Sequence, residues 1–191
     1  VSFVEPAPAE NKGYGNSTTI AFDVTDAPTA RMVLLSLCET IGRRLRRDQV
    51  RIETVSVSIR FHDLNSVSHQ SVLETATNIT KEIHAAACRL FDELWDGTPI
   101  RHLGVHTGRV SKEGASRQLS LFDHTDYDRL EKLDSAVDRI REKFGADAIL
   151  RASFLKQDQI DHMNGGISRE KRNVDYSQLN INETGNSYKK K

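Results

Sequence analysis

Thr54-Val55-Ser56-Val57-Ser58-Ile59-Arg60-Phe61-His62 alternates apolar and polar side chains without a break, the period-two signature of a strand with one buried and one open face. Val55, Val57, Ile59 and Phe61 fall on the core side, and Thr54, Ser56, Ser58, Arg60 and His62 on the other, within a strand predicted over Val50–His62. Upstream, Ala30, Val33, Leu34, Leu37, Ile41 and Leu45 recur at helical spacing behind Asp26, a capping residue, with Pro28 in the tolerated first turn. Before that helix, Ser17–Val24 alternates again, with Ile20, Phe22 and Val24 inward and Thr19, Ala21 and Asp23 outward. Downstream, Asp63, Asn65 and Ser66 supply turn chemistry, followed by a shorter strand over Val67–Leu73. A second helix is predicted from about Ala76 to Trp95, with Ile79, Ile83, Ala87, Leu90, Phe91 and Leu94 buried; Gly97 and Pro99 stop it. Ile100–Arg109 is the last strand, with Leu103 and Val105 inward. The order β-α-β-β-α-β defines an α+β fold: a four-stranded sheet with two helices on one face and the other face open.

Composition narrows the function classes. The 191 residues carry 27 Lys+Arg against 27 Asp+Glu, a formal charge of zero, which argues against a wholly basic nucleic-acid coat but allows a local basic face. No apolar run approaches the ~18–20 residues of a membrane span, and no basic-then-apolar leader opens the sequence. Cys38 and Cys88 cannot build a disulfide framework and lack zinc-ligand spacing. A reducing, cytoplasmic setting is the expectation.

The flanks differ in character. Val1–Asn11, with Pro6 and Pro8, reads as a linker, placed at residues 1–12, and the sheet domain takes 13–110. Residues 111–124 read as a hinge holding an apolar burst, Gln118-Leu119-Ser120-Leu121-Phe122. A helical segment is assigned to 125–155: Thr125 and Asp128 have capping-box spacing, Leu130, Leu133, Val137, Ile140 and Phe144 form the stripe to be buried, and Gly145 is the stop. One short strand is expected over Ala148–Phe154. From Lys156 apolar residues thin out, and 156–191 is expected to lack a packed core.

The open sheet face is the candidate site. Its outward positions include Thr19, Ala21, Ser56, Ser58, Arg60 and His102, small, polar or basic, with no Phe, Tyr or Trp on which bases would stack. Small residues let a charged backbone approach, and hydroxyls with Arg60 can donate to phosphates; solvation of a sheet face is the plain alternative. Arg43-Arg44 and Arg46-Arg47 end the first helix and Arg51 opens the next strand, a cluster that also complements the helix dipole at ~0.3–1 kcal/mol each.

Several segments, in order, resemble one family. Lys12-Gly13-Tyr14-Gly15-Asn16-Ser17, Gly42-Arg43-Arg44-Leu45-Arg46, the strand Val55–Arg60 and Arg101-His102-Leu103-Gly104-Val105 resemble the little-finger domain of Y-family lesion-bypass DNA polymerases, a ferredoxin-like module. Gln118–Phe122 resembles the sliding-clamp-binding peptide that bacterial members carry after it. Leu133-Asp134, Arg141–Gly145 and Ile149-Leu150-Arg151 resemble the tail of the UmuC-like (ImpB/MucB/SamB) branch.

The resemblance implies sequence-independent holding of template-primer duplex through Lys12, Ser17, Thr19, Arg43, Arg44, Arg51, Ser56, Ser58, Arg60 and His102. It implies tethering to the replication clamp through Gln118, Leu119, Ser120, Leu121 and Phe122. Roughly three to five phosphate contacts give a log–log salt slope of about −3 to −4.5. The resemblance also implies error-prone translesion synthesis in the SOS response by the parent enzyme, with palm carboxylates and Mg2+ outside this fragment. The fragment itself is expected to need no catalytic residue, cofactor or metal and no membrane, and weak self-association is allowed. A stand-alone single-stranded RNA-binding module with the same sheet is the competing reading.

Overall fold

Residues 11–112, 125–156, 160 and 162 are described by the structure, a computed structural model. The elements are β1 (Gly13–Val24), α1 (Ala27–Arg47), β2 (Val50–Phe61), β3 (Ser66–Thr77), α2 (Thr80–Leu94), β4 (Ile100–Lys112) and α3 (Tyr127–Phe144), then two short 3-10 turns at Ala146–Ala148 and Ala152–Lys156. All strand pairs are antiparallel, in the order β1-β4-β2-β3. The inward residues of β2 and β4 pack against the α1 stripe and against Ile83, Ala87, Leu90 and Phe91 of α2 in one buried layer. Each fully buried Leu or Ile there contributes about 1.5–3 kcal/mol relative to exposure.

α1 starts as the sequence predicts: the Asp26 carboxylate accepts from the Thr29 amide at 2.8 Å, with Pro28 in the first turn. β3 is longer than predicted and α2 starts later, at Thr80 instead of Ala76. Beyond an irregularity in the ladder, Thr77 pairs with Ile52, and its hydroxyl accepts from the Ile79 amide at 3.0 Å, so the chain stays extended through Thr77. Ile79, in the N-cap position, offers no side-chain cap. Trp95 closes α2, stacked on Phe91 with centroids 5.3 Å apart.

α3 corrects the largest expectation. Its cap is Asp126, which accepts from the Arg129 amide at 3.0 Å, rather than Thr125. The stripe expected to be buried is largely in solvent: Leu133 is 52% exposed, Ile140 36% and Phe144 67%. The buried positions are Asp134 and Arg141, because the helix docks through charge. Arg141 Nη1 lies 2.6 Å from Glu39 Oε2, with both side chains almost wholly enclosed (1% and 2% exposed). Arg151 bridges the other Glu39 oxygen and Asp134. Arg46 reaches Asp134 at 3.1 Å and Asp138 at 2.6 Å. Asp134 also accepts from the Thr80 amide at 2.8 Å, supplying the cap that α2 lacks. Gly42 makes room, since a Cβ there would lie 2.6 Å from Thr80 Oγ1 and 3.0 Å from Arg46 Nη1.

The strand expected over Ala148–Phe154 is replaced by the 3-10 turns, because Arg141 Nε holds the Ile149 carbonyl at 3.0 Å and Arg151 is drawn to Glu39. Past Lys156, where no packed core is expected, Ile160 and His162 nonetheless pack against the domain. Both are buried, and the His162 ring lies edge-on to Phe154 at 6.2 Å.

Removing one partner of an enclosed pair leaves the other charge uncompensated, at about 3–5 kcal/mol. Glu39→Ala and Asp134→Ala should each lower stability by that order in urea unfolding, while Leu133→Ser should stay within about 0.5 kcal/mol. Equal losses in both sets would show that α3 docks by its apolar side after all.

Candidate nucleic-acid interface

The pairing register lays the helix-free face out as cross-strand rows, read β1-β4-β2-β3. Thr19, His102, Arg60 and Ser66 form one row; Ser17, Gly104, Ser58 and Ser68 the next. Gly15, His106, Ser56 and Gln70 follow, then Gly13, Gly108, Thr54 and Val72. None of these positions carries a carboxylate, a Phe, a Tyr or a Trp. Gly104 keeps the middle low: a Cβ there would meet Ser58 Oγ at 2.6 Å and Ser17 Cβ at 3.1 Å. The result is a shallow, hydroxyl-lined surface with one permanent cation, Arg60, whose Nε lies 3.4 Å from Ser66 Oγ. Thr19 Oγ1 is 3.0 Å from His102 Nδ1, and His106 stands exposed two pleats along β4.

Burial holds the His102 imidazole below its ordinary pKa, with Arg60 and then His106 adding like-charge repulsion. At neutral pH it is therefore an uncharged donor or acceptor, and it gains a positive charge only as the pH falls.

Nine of the ten candidate binding residues separate into two groups, and Lys12 stands apart from both. Ser17, Thr19, Ser56, Ser58, Arg60 and His102 come together on the open face. Arg43, Arg44 and Arg51 do not join them. Arg43 sits half-buried on α1, in the layer over the opposite face. Arg44 donates to the Gly15 carbonyl at 3.0 Å and lies 5.2 Å from the Tyr14 ring centroid, bracing the edge strand. Arg51 pairs with Glu131 of α3 at 2.9 Å. Arg51 and Arg60 stand nine residues apart on one strand, about 30 Å, so the arginine cluster is not beside Arg60. Lys12 is exposed immediately before β1. Arg46, part of the same basic run, is enclosed in the α3 dock. Sequence reasoning missed Gly104, Ser66, Ser68 and Gln70 as floor and rim of this face, since only the register aligns them. The alternating Ser66-Val67-Ser68 was their one local signal.

Gln118–Phe122 lies outside the described residues. His69 pairs with Glu93 on the helix side at 3.0 Å, away from His102. Among the described residues no group of three His, Cys, Asp or Glu comes together to hold a metal ion, and no helix is long and apolar enough to cross a membrane. Cys38 is enclosed beneath α1, its thiol pushed up by burial; half-buried Cys88 is pushed up to about 11 by burial.

A profile of the impB/mucB/samB family C-terminal domain matches residues 11–121, which span the whole sheet domain and its open face. The chain belongs to that family and is a little-finger portion of a Y-family polymerase. It is 37% identical over 150 residues to a DNA polymerase IV of Clostridium acetobutylicum, covering 78% of this chain and 38% of that protein. A DNA polymerase IV 2 of Halalkalibacterium halodurans is 35% identical over 168 residues, covering 83% and 40%. The chain thus spans about two fifths of these relatives. A solved complex of the beta-clamp processivity factor and the little finger domain of PolIV shares 23% identity, covering 58% of this chain and 99% of that one, at a TM-score of 0.44.

A His102 pKa held below its unfolded value means that stability is full above about 6.5 and declines as the pH falls through the folded pKa. An NMR titration should place the His102 midpoint below 6.5, and His102→Gln should reduce the acid-side stability loss. A midpoint above that of a model peptide would contradict the assigned environment.

Proposed function

We propose that this chain holds template-primer duplex by its sugar-phosphate backbone and tethers its polymerase to the replication clamp during lesion bypass. The observation that supports this most is the open β1-β4-β2-β3 face. Its four cross-strand rows hold hydroxyls, glycines, one arginine and no carboxylate, which suits close approach of phosphates. A polymerase that must accept damaged bases gains from contacts indifferent to base shape. The absence of Phe, Tyr and Trp from the rows disfavours the RNA-binding alternative, which requires a stacking platform. In this reading the parent is a DNA-directed DNA polymerase of the SOS response. Its catalytic carboxylates and Mg2+ belong to its palm, and this chain alone does not polymerise.

With Arg43, Arg44 and Arg51 away from the face, Arg60 and Lys12 remain as ionic contacts. About two phosphates neutralised predict a log–log salt slope of about −2, shallower than the full arginine set implies. Arg60→Ala should weaken binding of random-sequence duplex about tenfold in fluorescence anisotropy, independent of sequence. Affinity for single strands exceeding that for duplex would overturn the reading in favour of the alternative.

Clamp tethering rests on Gln118–Phe122, where Leu121 and Phe122 would each contribute about 1.5–3 kcal/mol on burial before ordering costs, leaving a micromolar contact. Leu121→Ala with Phe122→Ala should abolish clamp pull-down and leave duplex affinity intact. Undiminished pull-down would refute the assignment.

A further inference from the structure

Leu130, Leu133, Val137, Ile140 and Phe144 recur at alternating steps of three and four, the spacing of a coiled-coil seam. Leu133, Ile140 and Phe144 are exposed. α3 cannot turn this stripe inward, because Asp134, Asp138 and Arg141, on the adjoining face, are locked to Arg46 and Glu39. At about 100° per residue, the seam lies roughly a quarter turn from the docked face, so one flank abuts the domain and the other is free. The free flank carries Arg129, Lys132, Arg139 and Lys143, and the acidic residues Asp128, Glu131 and Glu142 fall beyond it. Arg129, Lys132, Arg139 and Lys143 are all exposed, and Lys143 Nζ lies 5.1 Å from the Phe144 ring centroid, at the seam's border.

We infer that α3 is a docking surface for an acidic amphipathic helix of a partner protein, its apolar stripe on the Leu133–Ile140–Phe144 seam and its carboxylates against the basic flank. Charge selects this occupant over a second copy. Antiparallel pairing of two α3 helices would set basic flank on basic flank, and parallel pairing would need the flank that Asp134 and Arg141 already bury. A phosphate backbone gains nothing from a Leu-Ile-Phe stripe.

The test uses the 191-residue chain and a helical peptide of three heptads with Leu at the seam and Glu on its flanks, alongside a Lys-flanked twin. Fluorescence anisotropy should show micromolar binding of the Glu peptide and at least about tenfold weaker binding of the Lys peptide. Leu133→Ser with Ile140→Ser should lose the Glu peptide. Lys132→Glu with Arg139→Glu should reverse the preference while leaving the urea midpoint in place. Equal affinity for both peptides, or no binding of either, overturns the proposal. So does a dimer in sedimentation that Leu133→Ser dissolves.

Discussion

Six ionised side chains, three of each sign, hold the two parts of the described structure together. Glu39 and Arg46 come from α1, Asp134, Asp138 and Arg141 from α3, and Arg151 from the turns that follow. Enclosing any one of them costs several kcal/mol in desolvation, so the set is stable only as a set. Burial alone would raise the Glu39 carboxyl, yet Arg151 and Arg141 hold it below its ordinary value. The same Asp134 that answers Arg46 and Arg151 also receives the Thr80 amide. The start of α2 thereby depends on a helix that follows β4 in sequence.

That dependence explains what could be read from the amino acids and what could not. Strands and helices whose burial follows a single period were legible: Val55–Phe61, the α1 stripe and Leu103–Val105 all face where alternation puts them. α3 was misread because hydrophobic periodicity assumes that apolar residues seek the interior. The local sequence does not show that Glu39 and Arg46, some ninety residues earlier, present a charged wall. The late start of α2 had the same root, since its cap is not in its own sequence. On the candidate site, the strand alternation found Ser56, Ser58 and Arg60. The grouping of Arg43, Arg44 and Arg51 with them came from the family resemblance, whereas a strand length of about 30 Å separates Arg51 from Arg60.

The open face and the α3 seam present opposite chemistry on one small body. The first is flat, hydroxylated and nearly free of bulk, suited to a repeating charged polymer read by shape. The second is greasy, with a basic border, suited to a particular side-chain pattern. Because the ion set fixes α3 against α1 and α2, the layer opposite the open face, a ligand on either surface leaves the other accessible.

β4 lies between β1 and β2, so the strand made last is the one that joins the first to the rest. Gly13 pairs with Gly108, and the Tyr14 amide and carbonyl both meet the Thr107 hydroxyl across 93 residues of chain. Until that strand has left the ribosome, β1 has no neighbour to pair with and its Ile20 and Val24 have no closed core. Assembly of this sheet is therefore a late, long-range event of high contact order, slower than its helices alone suggest. A nascent chain halted before residue 100 should remain a substrate for chaperones and proteases.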